Sequence, residues 1–413
     1  MFHDGEPADR EAFGRLYAKL DHRVTADGKV TFWLDCIDAA WFDRFADADV
    51  RLPILKAPLA ILSIAVSRGS DLFRKLAASR WLQIEFGQSS LDVTAEQYLG
   101  LMTAPVVTPV KRITQLTQER ATRLSASLTL NHYPDATVSE LDAALQPLHR
   151  AKWVATFDVG QGSANALIGP YGAPVLYYDF GGGIMTNEAT YPSHLQRFCF
   201  SSKPPVILSH WDWDHWSSAA RDLRVLERPW VVPRQPIDRP VHLQLAADLH
   251  QRGNLLIWPT SLPSRCFGPV EIELCTGTTR NDSGLALWFT TDTHEVALLS
   301  GDARYGAVPS LPLRSPNAIV VPHHGADCAK TKVPKSTGAF DRLVISAGDG
   351  NHNGHPTRQC IDAHDAAGWA PTIRTGQCAA GSRSGVRVIG DPGGLRGQFP
   401  CFGSDCNLAV QKL

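Results

Sequence analysis

Four potential metal ligands fall within six residues in the stretch Ser209-His210-Trp211-Asp212-Trp213-Asp214-His215-Trp216, directly after the apolar run Pro205–Leu208. Such a run reads as a buried strand, and polar groups at its end stand at one rim of a sheet. His210 and Asp212, spaced by two, share one side of an extended chain, while Asp214 and His215 at the turn face a second position. This arrangement suits two divalent cations about 3.5 to 4 Å apart, which lower the pKa of a bridging water towards about 7 and clamp the attacking and leaving oxygens. Helix capping by Asp214 or plain surface polarity accounts for one such residue; four together at a strand end point to metal.

The same pattern recurs downstream. Leu298-Leu299-Ser300-Gly301-Asp302 ends an apolar run in a Gly-Asp turn, with a carboxylate that would bridge two ions. Ile319–Gly325 ends another run in the paired imidazoles of His323 and His324, and Val344–Gly348 leads through Asp349–Gly354 to His355-Pro356. Gly-Asp alone marks a turn. The shared strand-end setting makes the motifs reinforce one another, because ligands in layered folds come from loops at strand ends.

The elements that must position these residues are short apolar runs bounded by Gly, Asn, Asp and Pro from Trp153 onward, which read as strands. Helical periodicity lies between some of them, at His194–Phe200, Trp216–Leu226, Val241–Gln251 and Arg358–Ala367. The pattern predicts an α/β layered sandwich over residues 151–413. Residues 1–150 form an additional N-terminal α+β region of unknown role, with helical periodicity at Arg10–Leu20, Asp71–Ala78 and Ser139–His149 and a strand at Val30–Cys36.

In order along the chain, Asp158-Val159-Gly160-Gln161-Gly162, Tyr178–Gly182, Ser209–His215, Asn281–Leu287, Leu299–Asp302, Val321–Gly325 and Ile345-Ser346 with Gly354-His355-Pro356 resemble the soluble hydrolase domain of ComEC-type competence proteins. More broadly, the HxDxDH segment and later histidines resemble the metallo-β-lactamase superfamily. The resemblance covers roughly residues 150–375 and implies an αββα metallo-β-lactamase-like sandwich with phosphodiester cleavage of DNA as its associated activity. It implies His210, Asp212, Asp214, His215 and Asp302 as metal ligands, with His323 and His355 at the later histidine positions, one ligating metal and the other assisting the leaving group. Asp179 matches a supporting aspartate, and equally reads as a turn former before three glycines. Asp212 stands where the superfamily has His; this hardens that ion site and favours Mn2+ or Mg2+ over a pure Zn2+ site. His242, His250 and His294 are the candidates for an intermediate histidine, and read better as surface residues.

Composition bounds the rest. The chain has 413 residues, 44% apolar and 20% charged, with 40 basic against 41 acidic residues, so no global positive field recruits polyanions. Residues 303–413 carry twelve Lys/Arg against seven Asp/Glu, a local excess of five. Nine irregularly spaced cysteines fit a reducing compartment, although Cys360, Cys378, Cys401 and Cys406 are a loose candidate for a structural zinc site. With an acidic start and no long apolar run, the expectation is a cytoplasmic protein with no membrane span.

The expected function is that of a metal-dependent hydrolase, a phosphodiesterase or nuclease in which a hydroxide between two Zn2+ or Mn2+ ions, or Mg2+, attacks a phosphoryl centre. Asp214, His324 and His355 are the expected catalytic residues, with His324 or His355 protonating the leaving oxygen. The partner is a nucleic acid or nucleotide phosphodiester, with a protein partner for the N-terminal region. The alternatives are a hydrolase of another ester, thioester or lactam, and a partner-binding sensor with a regulated metal site. Trp211, Trp213 and Trp216 read as core packing rather than base stacking.

Overall fold

Leu16, Ala18 and Leu20 recur every second residue, and in the computed structural model they line a barrel core. The structure describes residues 11–26, 28–45, 52–78, 80–88, 91–193, 195, 197–338, 342–369, 372–376 and 387–389. The stretch expected to be helical at Arg10–Leu20 is therefore strand β1 (Arg15–Ala26); its period is two, and it pairs with strands on both sides.

Strands β1, β2 (Lys29–Asp38), β3 (Leu59–Ser67), β4 (Leu82–Phe86), β5 (Thr94–Tyr98) and β6 (Val106–Gln115) close into a barrel in the order β1-β2-β3-β5-β6-β4. Phe32, Leu34, Leu62, Ile64, Ile84 and Val110 fill it. Closure leaves no unpaired sheet edge. Helices α1 (Ala39–Phe45), α2 (Asp71–Ala77) and α3 (Gln118–Ser127) accompany the strands; Ser70 and Thr117 cap α2 and α3 by accepting from Phe73 N and Arg120 N.

The chain divides into two units, Met1–His132 with Pro236–Gln251, and Tyr133–Gln235 with Arg252–Leu413. The boundary read from the sequence at residue 150 lies 18 residues beyond the first of these limits, and Pro236–Gln251 falls in the first unit. Helix α4 (Val138–Leu145) falls in the second unit, where Leu141, Leu145 and Leu148 join the core of the strands that follow. Helix α5 (Pro240–Gln251) returns to the barrel unit, where the buried Asp35 carboxylate accepts from Val241 N at 3.0 and 3.1 Å and caps it.

The second unit is built from β7 (Trp153–Thr156), β8 (Ala164–Ile168), β9 (Pro174–Phe180), β10 (Val206–Ile207), β11 (Trp230–Pro233), β12 (Leu255–Trp258), β13 (Ser264–Phe267), β14 (Val270–Leu274), β15 (Leu285–Thr290), β16 (Val296–Leu299), β17 (Ala318–Val320), β18 (Arg342–Ile345), β19 (Thr372–Arg374) and β20 (Arg387–Ile389). They form two seven-stranded sheets, ordered β12-β11-β10-β9-β8-β7-β20 and β13-β14-β15-β16-β17-β18-β19. Leu167, Leu176 and Ile207 of one sheet share a core with Leu287, Leu299 and Val320 of the other, and Tyr178 Oη donates to Leu285 O at 2.6 Å.

The expected α/β αββα sandwich is corrected by this layout: the described residues are mostly β, a closed barrel and two sheets, and among them the helical layers expected over the sheets do not form. Trp216–Leu226, expected as a helix, contains the short 3-10 turns Ser217–Ala220 and Leu223–Glu227. Ser217 Oγ and Ser218 Oγ donate to Gly182 O and Gly181 O, so side chains tie this stretch to the end of β9 in competition with helix formation. The described part of 194–200 is not helical, and α5 belongs to the barrel unit. Helix α6 (Arg358–Ala366), capped by Thr357, forms as expected. Among the described residues no helix is long and apolar enough to cross a membrane.

Candidate metal centre

Strands β9 and β10 of one sheet and β16, β17 and β18 of the other bring the strand-end motifs together. Parallel pairing of β16 with β17 and of β17 with β18 sets the segments carrying Asp302, His324 and Ser346 side by side. Two groups of ligand-type atoms result, His210 with His215 and Asp302, and Asp214 with His215 and His324; within each group the atoms lie no more than 4.8 Å apart. His215 belongs to both. Its Nε2 stands 2.9 Å from Asp302 Oδ1 and 3.9 Å from Asp214 Oδ1, while His324 Nε2 stands 3.2 Å from Asp214 Oδ2.

Each group could hold a metal ion. His210 Nε2, His215 Nε2, His324 Nε2 and Asp302 Oδ1 are buried without a hydrogen-bond partner, a costly state for polar atoms unless a ligand meets them. The other ring nitrogens are spoken for. His215 Nδ1 lies 2.7 Å from Asp179 Oδ2, and His324 Nδ1 lies 2.8 Å from Ser346 O. Donation from each Nδ1 leaves the Nε2 lone pair directed at the centre, the arrangement that orients metal-binding imidazoles.

Asp179 is fully buried, accepts from Ser209 N at 2.7 Å and from Ser209 Oγ at 2.9 Å, and holds His215. Of its two sequence readings, support of the site is the one its contacts follow. It takes a left-handed backbone (φ 61°), as do His323 (51°) and His324 (54°). Such backbones cost about 1–3 kcal/mol each in non-glycine residues and concentrate at functional sites. Gly181 is required by close approach, since a Cβ there would stand 1.6 Å from Asp214 O.

Electrostatics agree with the geometry. Burial disfavours ionisation of Asp302, but the imidazoles of His215, His323, His210 and His324 hold its carboxyl well below the usual range. Burial likewise works against protonation of His215, and Asp302 with Asp179 outweighs it and raises that imidazole well above its ordinary value. His324 is raised by Asp302 and Asp214 against its burial. Asp214 is lowered by the neighbouring His324 imidazole at 3.2 Å and the charge of His215, again against burial. His355 goes the other way: burial, then His323 and His324, push it down to about 3.

The remaining predicted residues lie around this core. Asp212 Oδ2 stands 3.1 Å from His210 Nε2, yet Asp212 is outside both ligand groups and its Oδ1 pairs with Arg280 Nε. His323, with 32% of its side chain exposed, places Nε2 3.5 Å from Asp302 Oδ2. The His355 ring is 5.6 Å from that of His323 and 6.5 Å from that of His324, and its Nδ1 is buried without a hydrogen bond. Trp211, Trp213 and Trp216 are buried in the core. His242, read as a surface residue, is instead buried in the barrel unit 3.4 Å from Asp21, whereas His250 and His294 are exposed as expected. Of the cysteines considered for zinc, Cys378, Cys401 and Cys406 lie outside the described residues; Cys360 is buried with Sγ 3.6 Å from His364 Nδ1.

Sequence reasoning missed Arg280, and named Ser346 within a motif without giving it a role. An arginine in the turn-rich run Thr276–Gly284 has no spacing signal, and Ser346 acts through its carbonyl, which every residue carries.

No family model matches the chain. No curated protein matches it either. Among solved structures the chain is similar to a protein of unknown function from Enterococcus faecalis V583, at 15% identity with a TM-score of 0.26 over 41% of this chain and 49% of that one, so it spans about half the length of the structure it matches.

Proposed function

We propose that the second unit is a metal-dependent hydrolase of phosphodiesters, acting on nucleic acid or nucleotides. The observation that carries the proposal is the sharing of His215 between two ligand groups, the buried His210–His215–Asp302 and Asp214–His215–His324, in which Asp214 is half-buried. Two histidines and one aspartate in each group suit Zn2+ or Mn2+. Such a pair of cations supplies an activated water near neutral pH and stabilises charge on the phosphoryl oxygens.

The chain's own groups supply the rest. Asp179 and Ser346 O fix the ring orientations of His215 and His324. His355, uncharged at neutral pH, offers an N–H to an oxygen of the bound phosphodiester; a neutral imidazole in that role polarises rather than protonates. Arg280, beside Asp212, contributes a positive charge at the rim that favours an anionic substrate over a neutral ester or lactam. The order of motifs, which resembles that of ComEC-type hydrolase domains, supports phosphodiester cleavage in particular. A reducing, cytoplasmic setting is part of the proposal and is supported by free thiols at Cys36, Cys199, Cys266, Cys275 and Cys360.

The test is cleavage of single- and double-stranded DNA, RNA and bis(p-nitrophenyl) phosphate with Mn2+, Mg2+ or Zn2+, beside an Asp214→Ala control. Metal-dependent cleavage that the control lacks is expected. Cleavage of a neutral ester alone, or none by metal-loaded protein, overturns the phosphodiesterase reading.

A further inference from the structure

The second unit also carries a concavity of about 310 Å3 whose lining includes Arg314, Lys332 and Lys335 and no carboxylate. Its walls continue from the ligand-bearing loops: Tyr305 follows Asp302 by three residues, and Lys332 follows His324 by eight. Arg314 is engaged, paired with Glu271 and stacked over the Trp288 ring at 5.0 Å. The neighbouring Lys330 pairs with Asp327 at 3.5 Å. Lys332 and Lys335, by contrast, meet no carboxylate among the described residues.

Lys332 takes a left-handed backbone (φ 58°), and its side chain lies over Gly306, where a Cβ would stand 3.1 Å from Cδ and 3.3 Å from Nζ. The bare Gly306 thus lets the ammonium approach the cavity wall. Unpaired like charges held on one concavity repel each other and leave a local positive potential, which the apolar flanks Leu311 and Pro334 focus by lowering the surrounding dielectric. An anion placed there relieves the repulsion. Lysines supply point charges without an imposed fork, which suits a tetrahedral phosphate.

We propose that this concavity binds a phosphate group distinct from the one at the metal centre, held by Lys332 and Lys335. The group comes either from a neighbouring phosphodiester of a strand substrate, in which case the inference rests on the proposed function, or from a separate phosphorylated ligand, in which case it does not.

The experiment compares the full wild-type chain with the Lys332→Ala/Lys335→Ala double variant, and with Lys335→Glu as a second probe of charge. Both lysines are exposed, so the fold should tolerate the changes. Binding of inorganic pyrophosphate and of a short labelled single-stranded oligonucleotide is measured in EDTA, so that no bound cation contributes, and any binding by the metal-free centre is common to wild type and variants. The double variant should bind about tenfold more weakly, with a salt slope for the oligonucleotide lower by about 1.4 for two lost contacts. Loss on the oligonucleotide, with or without pyrophosphate, assigns the site to the strand; loss on pyrophosphate alone assigns it to a separate phosphorylated ligand. Unchanged affinity for both probes, or no binding of either by the wild type, overturns the proposal. Failure of the wild type to cleave any phosphodiester would instead remove the proposed function and leave the binding result standing.

Discussion

His215 Nε2 faces Asp302 Oδ1 across 2.9 Å, and neither atom has a hydrogen-bond partner beyond this contact. One residue comes from the turn after β10 and the other from the turn after β16, so the two sheets meet chemically at this pair. Asp302→Asn keeps the shape and removes the charge. It should weaken Mn2+ binding about 100-fold or more and abolish cleavage, as read by calorimetry and turnover. Wild-type affinity in this variant would remove Asp302 from the centre.

Asp179 touches the proposed metal position through His215 and, by way of Ser209 Oγ, through His210. Asp179→Asn should leave the fold intact while releasing the imidazole from its fixed tautomer, with cation affinity falling about 10- to 100-fold. An unchanged affinity beside an unchanged melting temperature would show that Asp179 does not orient the ligand.

Arg280 competes for Asp212, whose other oxygen stands 3.1 Å from a ligand nitrogen of His210. Arg280→Ala should therefore bind Mn2+ more tightly than the wild type, by about tenfold, while KM for a phosphodiester rises and that for a neutral ester does not. Weaker Mn2+ binding would reduce Arg280 to a structural ion pair.

Cation binding should depend on pH with a defined sign. Without metal, His215 and His324 are held protonated above their ordinary value near 6.5 by Asp302, Asp179 and Asp214, against the opposing effect of burial. A raised imidazole pKa stabilises the metal-free fold fully below the unfolded value, and that contribution is lost as pH rises through the folded value. A cation must displace these protons, so its apparent affinity falls on acidification and rises as pH climbs through the raised values. Calorimetry at pH 7 in two buffers of different ionisation enthalpy should report net proton release; zero release contradicts this.

Gly181→Ala should be severe, because the added Cβ would meet Asp214 O at 1.6 Å. A loss of about 3 kcal/mol or more is expected on thermal or denaturant unfolding, against a change within about 0.5 kcal/mol for Gly14→Ala, where a Cβ meets only open space. Equal stability of the two variants would contradict the packing described here.

The candidate ligands were legible because strand-end histidines and aspartates announce themselves by type and by the apolar run before them. His210, Asp214, His215 and Asp302, four of the expected ligands, converge; the imidazole that joins them is His324, expected as a proton donor, while Asp212, His323 and His355 stand outside both groups. Asp212 was legible as a ligand type but not as Arg280's partner, since that pairing joins residues 68 apart in the chain. Layering was less legible. Residues 216–226 carry helical periodicity, yet hydroxyl bonds from Ser217 and Ser218 to Gly182 and Gly181 hold the chain in short turns. Barrel closure was invisible for a similar reason: β4 pairs with β1 and β6, contacts of long sequence separation that no local period encodes.

Two cations held at the shared His215 would activate water against a phosphodiester. The most direct test of that activation is to titrate metal-free protein with Mn2+ while following both bound metal and hydrolysis of bis(p-nitrophenyl) phosphate. Activity should plateau at about two equivalents per chain and be absent in Asp214→Ala. Protein that binds two equivalents without cleaving, or that cleaves equally well with chelator present, would contradict it.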